Sequence, residues 1–203
     1  MQIDKLVVGP FQVNSYLLFW DDGQGAALVD PGDDAARIIR AVGKRSVSHI
    51  FLTHAHIDHI GAVAELQRCF KAQVVLDERE LPLLQNAGRQ AAMFGLPAPE
   101  SFLPDQYAQD NGLFSFAGET LQVLSTPGHS PGGLSFLVGD RVFTGDALFY
   151  DSIGRTDLPG ASAMVLLHSI QTRLFILPGH TQVFPGHGPS TTIDRERRCN
   201  PFF

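Results

Sequence analysis

Apolar residues occur along this chain in two patterns, short dense runs and longer stretches with helical spacing. Dense runs rich in Val, Leu, Ile and aromatic residues are typical of β-strands. Gly9-Pro10 and Gly139-Asp140 separate neighbouring runs and predict tight turns between antiparallel strands. The predicted strands are residues 2–8, 13–20, 26–30, 47–52, 74–76, 120–125, 133–138, 141–144 and 183–184.

Helical spacing, with apolar residues at i, i+3, i+4 and i+7, is clearest in residues 35–42. Asp33 or Asp34 can cap this predicted helix, and Gly43 ends it. Three further helices are predicted: one from Asp58 or just after it to Phe70, one over residues 77–94 with an interruption near Pro82 and Gly88, and one over residues 161–177 that ends at Pro178-Gly179.

Residues 95–119 contain Pro97, Pro99 and Pro104 and show little periodicity, which predicts a long surface connection on the substrate side. The order of strands, helices, strands, helix and strand fits mixed sheets flanked by helices, an α/β fold. No tandem repeat or linker divides the 203 residues, which are enough to bury one sizeable core. We therefore expect one domain over residues 1–203.

Composition and charge exclude several functional classes. The net charge is −6 and the Lys and Arg residues are scattered, so no nucleic-acid surface is predicted. The one basic cluster, Arg195, Arg197 and Arg198, is interpreted as a solvated turn near the C-terminus. No apolar run approaches about 18 residues and no signal-peptide pattern occurs, which predicts a cytoplasmic protein without a membrane span. Cys69 and Cys199 stand far apart and form no C-x-x-C pair, which argues against a disulfide framework and a thiolate zinc site.

The segment Thr53–Gly61 carries the strongest chemical signal, T-H-A-H-I-D-H-I-G. Three imidazoles and one carboxylate lie within six residues, between a predicted strand and a predicted helix. Imidazole and carboxylate donors together suit zinc, iron and other divalent first-row metals. The segment therefore predicts a metal site that includes His54, His56, Asp58 and His59.

Three further candidate ligands, His129, Asp146 and His187, each follow a short predicted strand within a Gly/Pro-rich turn. Loops at strand ends are where a rigid sheet can present side chains to a common point. Five His and two Asp exceed what one tetrahedral metal binds, and they suit two adjacent metals that share one carboxylate. The other histidines, His49, His168 and His180, lack such a setting and are interpreted as packing or surface residues.

With these seven positions the chain resembles the metallo-β-lactamase fold superfamily, whose H-x-H-x-D-H signature begins here at His54. The resemblance covers essentially the whole chain and implies an αβ/βα four-layer sandwich with the metals at one edge. It also implies the division of the ligands: His54, His56 and His129 for metal one, Asp58, His59 and His187 for metal two, and Asp146 as the bridge between them.

Within that superfamily, Asp146 stands where many β-lactamases carry Cys, and His56 stands where flavo-di-iron oxidoreductases carry Glu. The segments 152–160 and 191–202 resemble short bacterial glyoxalase II-type proteins. Three features depart from full-length glyoxalase II. We expect the C-terminal helical domain that contacts glutathione there to be missing. The positions of the basic and the aromatic glutathione contact fall on Arg155 and Asp157, so the cation is kept and the Tyr is lost, and Pro189 replaces a second Tyr.

The resemblance implies a hydrolase for S-D-lactoylglutathione or a related thioester. Two divalent ions, zinc first and iron or mixed iron and zinc as alternatives, would share a bridging hydroxide that attacks the carbonyl carbon. Asp58 would orient that hydroxide as the catalytic residue. Arg155 would bind the substrate's carboxylate, with a salt bridge within its loop as the alternative.

Three other functions stay open. A persulfide dioxygenase uses the same fold with one iron, bound by the counterparts of His54, His129 and Asp146. The others are a lactonase or small-ester hydrolase on the same scaffold and a metal-binding module without catalysis. The expected partner is a small molecule, and the sequence leaves the oligomeric state open.

Overall fold

The apolar runs form two six-stranded sheets in a computed structural model that describes residues 1–203. The chain divides into two units, and each sheet is built mainly from one of them. Unit 1 consists of Met1–Ala108 and Phe116–Gly118, and unit 2 consists of Gln109–Ser115 and Glu119–Phe203. The α/β class with mixed sheets is confirmed, and the single domain over residues 1–203 stays a prediction.

The sheet of unit 1 runs in the order β1-β2-β3-β4-β5-β6. The pairs β1–β2 and β2–β3 are antiparallel, whereas β3–β4, β4–β5 and β5–β6 are parallel. Parallel neighbours end at the same edge of a sheet, so the loops after β3, β4 and β5 share one edge. The strands are Gln2–Val8 (β1), Val13–Phe19 (β2), Gly25–Val29 (β3), Ser46–Phe51 (β4), Gln73–Leu76 (β5) and Gln106–Tyr107 (β6).

Unit 1 buries one apolar core in which residues of the sheet pack with residues of its helices. Ile38 of the first helix and Leu66 of the third are fully buried there with Leu28 of the sheet. The helices are Ala35–Val42 (α1), Ile57–Ile60 (α2), Val63–Phe70 (α3), Leu81–Gln85 (α4) and Ala87–Met93 (α5), with a 3₁₀ turn at Glu78–Glu80.

The second sheet runs in the order β14-β13-β10-β9-β8-β7. The strands β8, β9 and β10 form an antiparallel meander, and β13 lies parallel to β10. The loops after β8, β10 and β13 therefore lie at the same edge. The strands are Leu113–Phe116 (β7), Glu119–Ser125 (β8), Leu134–Val138 (β9), Arg141–Gly145 (β10), Gln182–Pro185 (β13) and Thr191–Thr192 (β14), and a separate hairpin consists of Leu148–Phe149 (β11) and Ser152–Ile153 (β12).

Two helices cover part of unit 2, Ala163–Ser169 (α6), which continues as a π-helical turn at Ile170–Leu174, and Ile193–Cys199 (α7). Leu166 and Ile170 pack with Val142 and Val183 of the sheet and with Ile193 of α7 in one buried cluster. None of the helices in either unit is both long enough and apolar enough to cross a lipid bilayer.

Most predicted strands and helices are observed, and four predictions need correction. The helix predicted over residues 77–94 consists of three segments. A 3₁₀ turn ends before α4, where Pro82 lies in the first helical turn, and a second break lies at Asn86, two residues before Gly88. The helix predicted from Asp58 divides into α2 and α3, and residues 95–119 contain β6 and β7 rather than one long loop.

The fourth correction concerns the basic cluster near the C-terminus, which lies on the helix α7 rather than in a solvated turn. The side chain of Arg195 donates hydrogen bonds to both carboxylate oxygens of Asp151, and its guanidinium lies 3.7 Å from the centre of the Tyr150 ring. Arg197 and Arg198 are exposed, as expected. The sequence pattern concealed this helix because charged residues outnumber apolar ones within it.

Candidate metal centre

Two loops lie side by side at one edge of the first sheet, one that begins with an aspartate and one that carries the histidines. Asp30 directly follows β3, and the histidine segment follows β4, which is the parallel neighbour of β3. A backbone hydrogen bond of 3.0 Å from Asp30 N to Phe51 O joins the two strand ends. The predicted ligands therefore lie at the end of a strand, where the sheet restrains their position.

Two glycines allow the loop after β3 to approach the helix α2 very closely. A Cβ atom on Gly32 would lie 1.6 Å from the carbonyl oxygen of Asp58, and a Cβ on Gly61 would lie 2.3 Å from the carbonyl oxygen of Gly32. The backbone NH of Ala62 donates to the Pro31 carbonyl at 3.1 Å. These contacts restrain the C-terminal end of α2 and the backbone of Asp58 within it.

Unit 1 brings its four predicted ligands within a few ångströms of one another. The rings of His54 and His56 have centroids 4.7 Å apart, and those of His54 and His59 are 4.1 Å apart. The Oδ2 atom of Asp58 lies 3.6 Å from Nε2 of His59. His54 and His59 are buried and His56 is half-buried, so the site combines restricted solvent access with an opening.

Hydrogen bonds from Asp30 determine which ring nitrogens of unit 1 are available to a metal. The carboxylate can only accept, and it accepts from Thr53 N at 2.8 Å, Thr53 Oγ1 at 2.7 Å and His59 Nδ1 at 3.0 Å. The Thr53 hydroxyl has used its proton, so it accepts from His54 Nδ1 at 3.0 Å. Both imidazoles therefore carry the proton on Nδ1 and present the Nε2 lone pair, as metal-binding histidines do.

A second buried carboxylate makes a hydrogen bond to the backbone of the same loop. The Oε2 atom of Glu80, which is fully buried, accepts a hydrogen bond of 2.8 Å from the backbone NH of Ala55. Ala55 separates His54 and His56, so this contact restrains the backbone between the two imidazoles.

Unit 2 presents its three predicted ligands after three strands that end at one edge. His129 follows β8, Asp146 follows β10 and His187 follows β13. The close packing again requires glycine, because a Cβ on Gly128 would lie 2.3 Å from the backbone of Leu166 in α6. The positive φ of +132° at Gly128 is also one that residues with side chains rarely adopt.

Asp146 lies between the two histidines of unit 2. Its Oδ2 atom is 3.6 Å from Nε2 of His129 and 3.7 Å from Nε2 of His187. Donor atoms that bind one metal lie at about this separation, so the Asp146 carboxylate is placed to bind a metal together with either histidine. On the other side of the His129 ring, Nδ1 donates to the carbonyl of Arg155 at 2.9 Å, so Nε2 again carries the lone pair that can bind a metal.

Gly154 maintains this arrangement, since a Cβ there would lie 1.9 Å from the Asp146 carbonyl oxygen and 3.1 Å from His129 Nδ1. The Arg155 side chain is exposed and makes two hydrogen bonds of 2.7 Å with Asp157. The same pair lowers the pKa of Asp157 to about 2. The salt bridge expected as an alternative role for Arg155 is thus present, and its role toward a substrate stays a prediction.

The donor set fits divalent transition metals. The seven candidates are imidazoles and carboxylates, and hydrogen bonds leave Nε2 of His54, His59 and His129 as the donor atom. His168 and His180 are exposed, and His49 stacks on Phe51 with a pKa lowered by burial, so these three are packing or surface residues as predicted.

Sequence reasoning missed the residues that orient the ligands, Asp30, Thr53 and Gly154. A signal for Asp30 existed, because it is the acidic residue at the end of the predicted strand 26–30, just as the histidines stand at the end of the predicted strand 47–52. The carbonyl of Arg155 left no such signal, since any residue type provides a carbonyl.

Comparison with known proteins extends these observations. The sequence model of the metallo-beta-lactamase superfamily matches residues 8–187, a range that includes residues of both units. The hydroxyacylglutathione hydrolase GloC of Haemophilus influenzae is 38% identical over 208 residues, which cover 100% of this chain and 98% of that protein.

Two solved structures are similar over nearly their whole length. The BLEG-1 B3 metallo-β-lactamase matches with a TM-score of 0.93 and 37% identity, covering 99% of each chain. TTHA1623 in a di-iron-bound form matches with a TM-score of 0.89 and 40% identity, covering 98% of this chain and 100% of that one. The α/β fold expected from the signature is confirmed.

Proposed function

This chain belongs to the metallo-β-lactamase superfamily and is a metallo-hydrolase, and we propose that it hydrolyses a thioester in the manner of glyoxalase II. The substrate is S-D-lactoylglutathione or a related thioester. The observation that carries the proposal is the position of Asp146, whose one oxygen lies 3.6 and 3.7 Å from two histidine donor atoms. The similarity to a hydroxyacylglutathione hydrolase over the full chain supports the choice of reaction.

The proposed centre contains two divalent metal ions, zinc first and iron or mixed iron and zinc as alternatives. Its support is the order of the signature residues, the family match through both units and the imidazole and carboxylate chemistry of the donors. When bound, two such ions supply an activated water and a Lewis acid for the carbonyl oxygen. The proposed ligands are His54, His56 and His129 for one ion, Asp58, His59 and His187 for the other, and Asp146 for both.

The side chains of the protein then have separate roles. Asp30 and Thr53 keep the protons of His59 and His54 on Nδ1, so that the two rings bind metal as neutral imidazoles. We assign Asp58 the role of orienting the attacking water through a carboxylate oxygen. Because a thiolate is a good leaving group, the reaction needs no strong general acid. We assign Arg155 the role of binding the substrate carboxylate. Its guanidinium would release Asp157 and pair with the substrate instead.

We further propose that the protein works in the cytoplasm on a small molecule. The cysteines Cys69 and Cys199 are both exposed and not in a disulfide, which suits a reducing compartment. A net charge of −6 disfavours nucleic acid as a partner.

The test is a pair of measurements on the purified full chain. We expect about two divalent metals per chain by elemental analysis and release of free thiol from S-D-lactoylglutathione. Asp146→Ala should lose most of the metal and the activity, because both ions would lose a ligand. Asp140→Ala, which removes an exposed carboxylate from the β9–β10 turn, is the matched control and should retain both.

One iron per chain without zinc, together with oxygen uptake on glutathione persulfide and no thiol release, would replace this proposal by a persulfide dioxygenase. Hydrolysis of lactones without hydrolysis of thioesters would show that the protein is a lactonase or small-ester hydrolase. Retention of both metals by Asp146→Ala would show that the shared-ligand assignment is wrong.

A further inference from the structure

A pocket with a volume of about 280 Å³ lies in unit 1 and has the candidate ligand Asp58 in its wall. Its other walls come from the turn between β1 and β2, the turn after β3 and the segment that follows α5. The volume is about nine times the ~30 Å³ that a water molecule occupies in the liquid, so the pocket can hold a small organic group.

The residues that line this pocket already pack against one another and against the core before a ligand binds. The Phe11 ring contacts the Phe94 ring edge-to-face with centroids 5.1 Å apart. Phe11 and Leu96 also pack against the buried core of unit 1. The close backbone contact between Gly32 and Asp58 holds the inner wall in place. A ligand therefore enters a largely formed cavity and orders few side chains on binding.

The chemistry of the lining is apolar with carboxylates and without a cation. Phe11, Ile57, Leu96 and three prolines supply the apolar surface. Asp33, Asp58 and Glu100 are the charged groups, and none of the fifteen lining residues is Lys or Arg. Glu100 is paired with Arg68, which lies outside the lining, and Asp58 is a candidate metal ligand, so Asp33 is the lining carboxylate that would repel an anion.

We propose that this pocket binds the acyl group of the thioester, and that the preferred acyl group is apolar, carries no carboxylate and is larger than lactoyl. This inference rests on the proposed thioester hydrolysis. A carboxylate brought within about 4–6 Å of Asp33 at a partly solvated site loses about fivefold in affinity, and burying it against apolar walls without a hydrogen-bond partner adds to that loss. Apolar walls beside the candidate ligand Asp58 instead favour burial of hydrocarbon next to the reacting carbonyl.

The assignment to the acyl side follows from charge. A glutathione-like thiol carries carboxylates that need a cation, and the residue proposed for that purpose, Arg155, is not part of this pocket. The remaining part of a thioester is its acyl group. A lactoyl group has only five heavy atoms and would leave much of the 280 Å³ to water, whereas a six-carbon chain would displace that water.

The test compares three thioesters of one thiol, so that contacts to the glutathione part stay constant. We expect kcat/KM for S-hexanoylglutathione to exceed that for S-succinylglutathione by at least tenfold, and also to exceed that for S-D-lactoylglutathione. Ala98→Lys places an ammonium group in the lining at an exposed position, and it should reduce the hexanoyl-to-succinyl ratio about fivefold. Leu103→Lys, at a side chain that is 79% exposed and outside the lining, should leave the ratio unchanged.

Binding provides a readout that does not depend on hydrolysis. Hexanamide should shift the backbone amide signals of Ala91 and Leu96 in NMR titrations of the metal-loaded protein, and succinamate should not. Equal shifts by both probes, no shift by either, or a lactoyl or succinyl preference in the kinetics would overturn the pocket assignment. If none of the three thioesters is hydrolysed, the proposed function fails, and the NMR titration alone then decides whether the pocket selects uncharged apolar groups.

Discussion

The Asp30 side chain shows how one buried carboxylate determines the state of two imidazoles. It has a positive φ of 48°, is only 2% exposed and accepts three hydrogen bonds, two from Thr53 and one from His59. Because the Thr53 hydroxyl donates its proton to Asp30, it accepts the proton of His54 Nδ1, so both rings present Nε2. Partners of this kind are worth about 10–100-fold in metal affinity in metalloproteins.

We predict that Asp30→Asn lowers the affinity for metal by about 10–100-fold. An amide in either orientation places an NH₂ group against a donor, either the Thr53 backbone NH or the pair formed by Thr53 Oγ1 and His59 Nδ1. The free energy of unfolding should also fall by about 1–3 kcal/mol, because a buried donor loses its acceptor. Chelator competition and urea unfolding measure the two effects.

Asp34→Asn is the matched control for this substitution. Asp34 is exposed, has a φ of 55° and makes no side-chain hydrogen bond as the N-cap of α1. The same change of charge at a similar backbone conformation should therefore alter stability by less than about 0.5 kcal/mol. Wild-type metal affinity in Asp30→Asn would show that Asp30 does not control the ring protons.

At the scale of elements, the helix α7 fastens the hairpin β11–β12 to the rest of unit 2. Glu196 is fully buried in α7 and accepts hydrogen bonds from the Asp151 backbone NH at 2.9 Å, Thr191 Oγ1 at 2.6 Å and Asn200 Nδ2 at 2.9 Å. Asn200 also donates to the Ser152 carbonyl at 3.0 Å. The hairpin leads directly into Gly154 and Arg155, whose backbone packs on Asp146 and accepts from His129.

Glu196→Ala should destabilise the fold by on the order of 3 kcal/mol, because several buried donors lose a charged acceptor together. We expect metal affinity to fall as well, since the loop that orients His129 loses its support. Arg198→Ala is the control, because Arg198 lies on the same helix and its side chain makes an exposed pair with Asp194, worth about 0.3–0.5 kcal/mol, and a 3.3 Å hydrogen bond to the Asp194 carbonyl. Urea unfolding and chelator competition give the comparison, and equal effects of the two substitutions would exclude this role for α7.

At the scale of the whole chain, the seven proposed ligands are divided between residues 54–59 and residues 129–187. A metal that binds only the folded chain stabilises it according to its affinity, by about 4 kcal/mol when free metal exceeds Kd a thousandfold. Because the proposed centre needs ligands from both segments, it would form only when both are folded.

Removal of metal should therefore lower the midpoint of thermal unfolding by on the order of 10 °C for a chain of this size. Calorimetry before and after chelation measures the shift, and readdition of zinc or iron should restore the midpoint. Asp146→Ala should show little further change on chelation, since it already lacks the shared ligand. Identical midpoints with and without metal would argue against a tightly bound centre in the native state.

The sequence allowed prediction of those features that depend on neighbouring residues. Dense apolar runs located nine strands because most of them are largely buried, as β2 is throughout, and helical spacing located α1 because one face of it is buried. The pattern failed for α7, where arginine and acidic residues dominate, and for β11 and β12, which are two residues each and too short to show a period.

By itself the sequence determined which side chains can bind metal and that they stand in glycine-rich turns at strand ends, because residue type and local spacing suffice for both. Only the tertiary structure decided which ring nitrogens carry the proton, that one oxygen of Asp146 lies between His129 and His187, and that the lining of the pocket beside Asp58 contains no Lys or Arg. Those features depend on contacts between residues far apart in the chain, and hydrogen bonds and packing distances arise only when the strands pair.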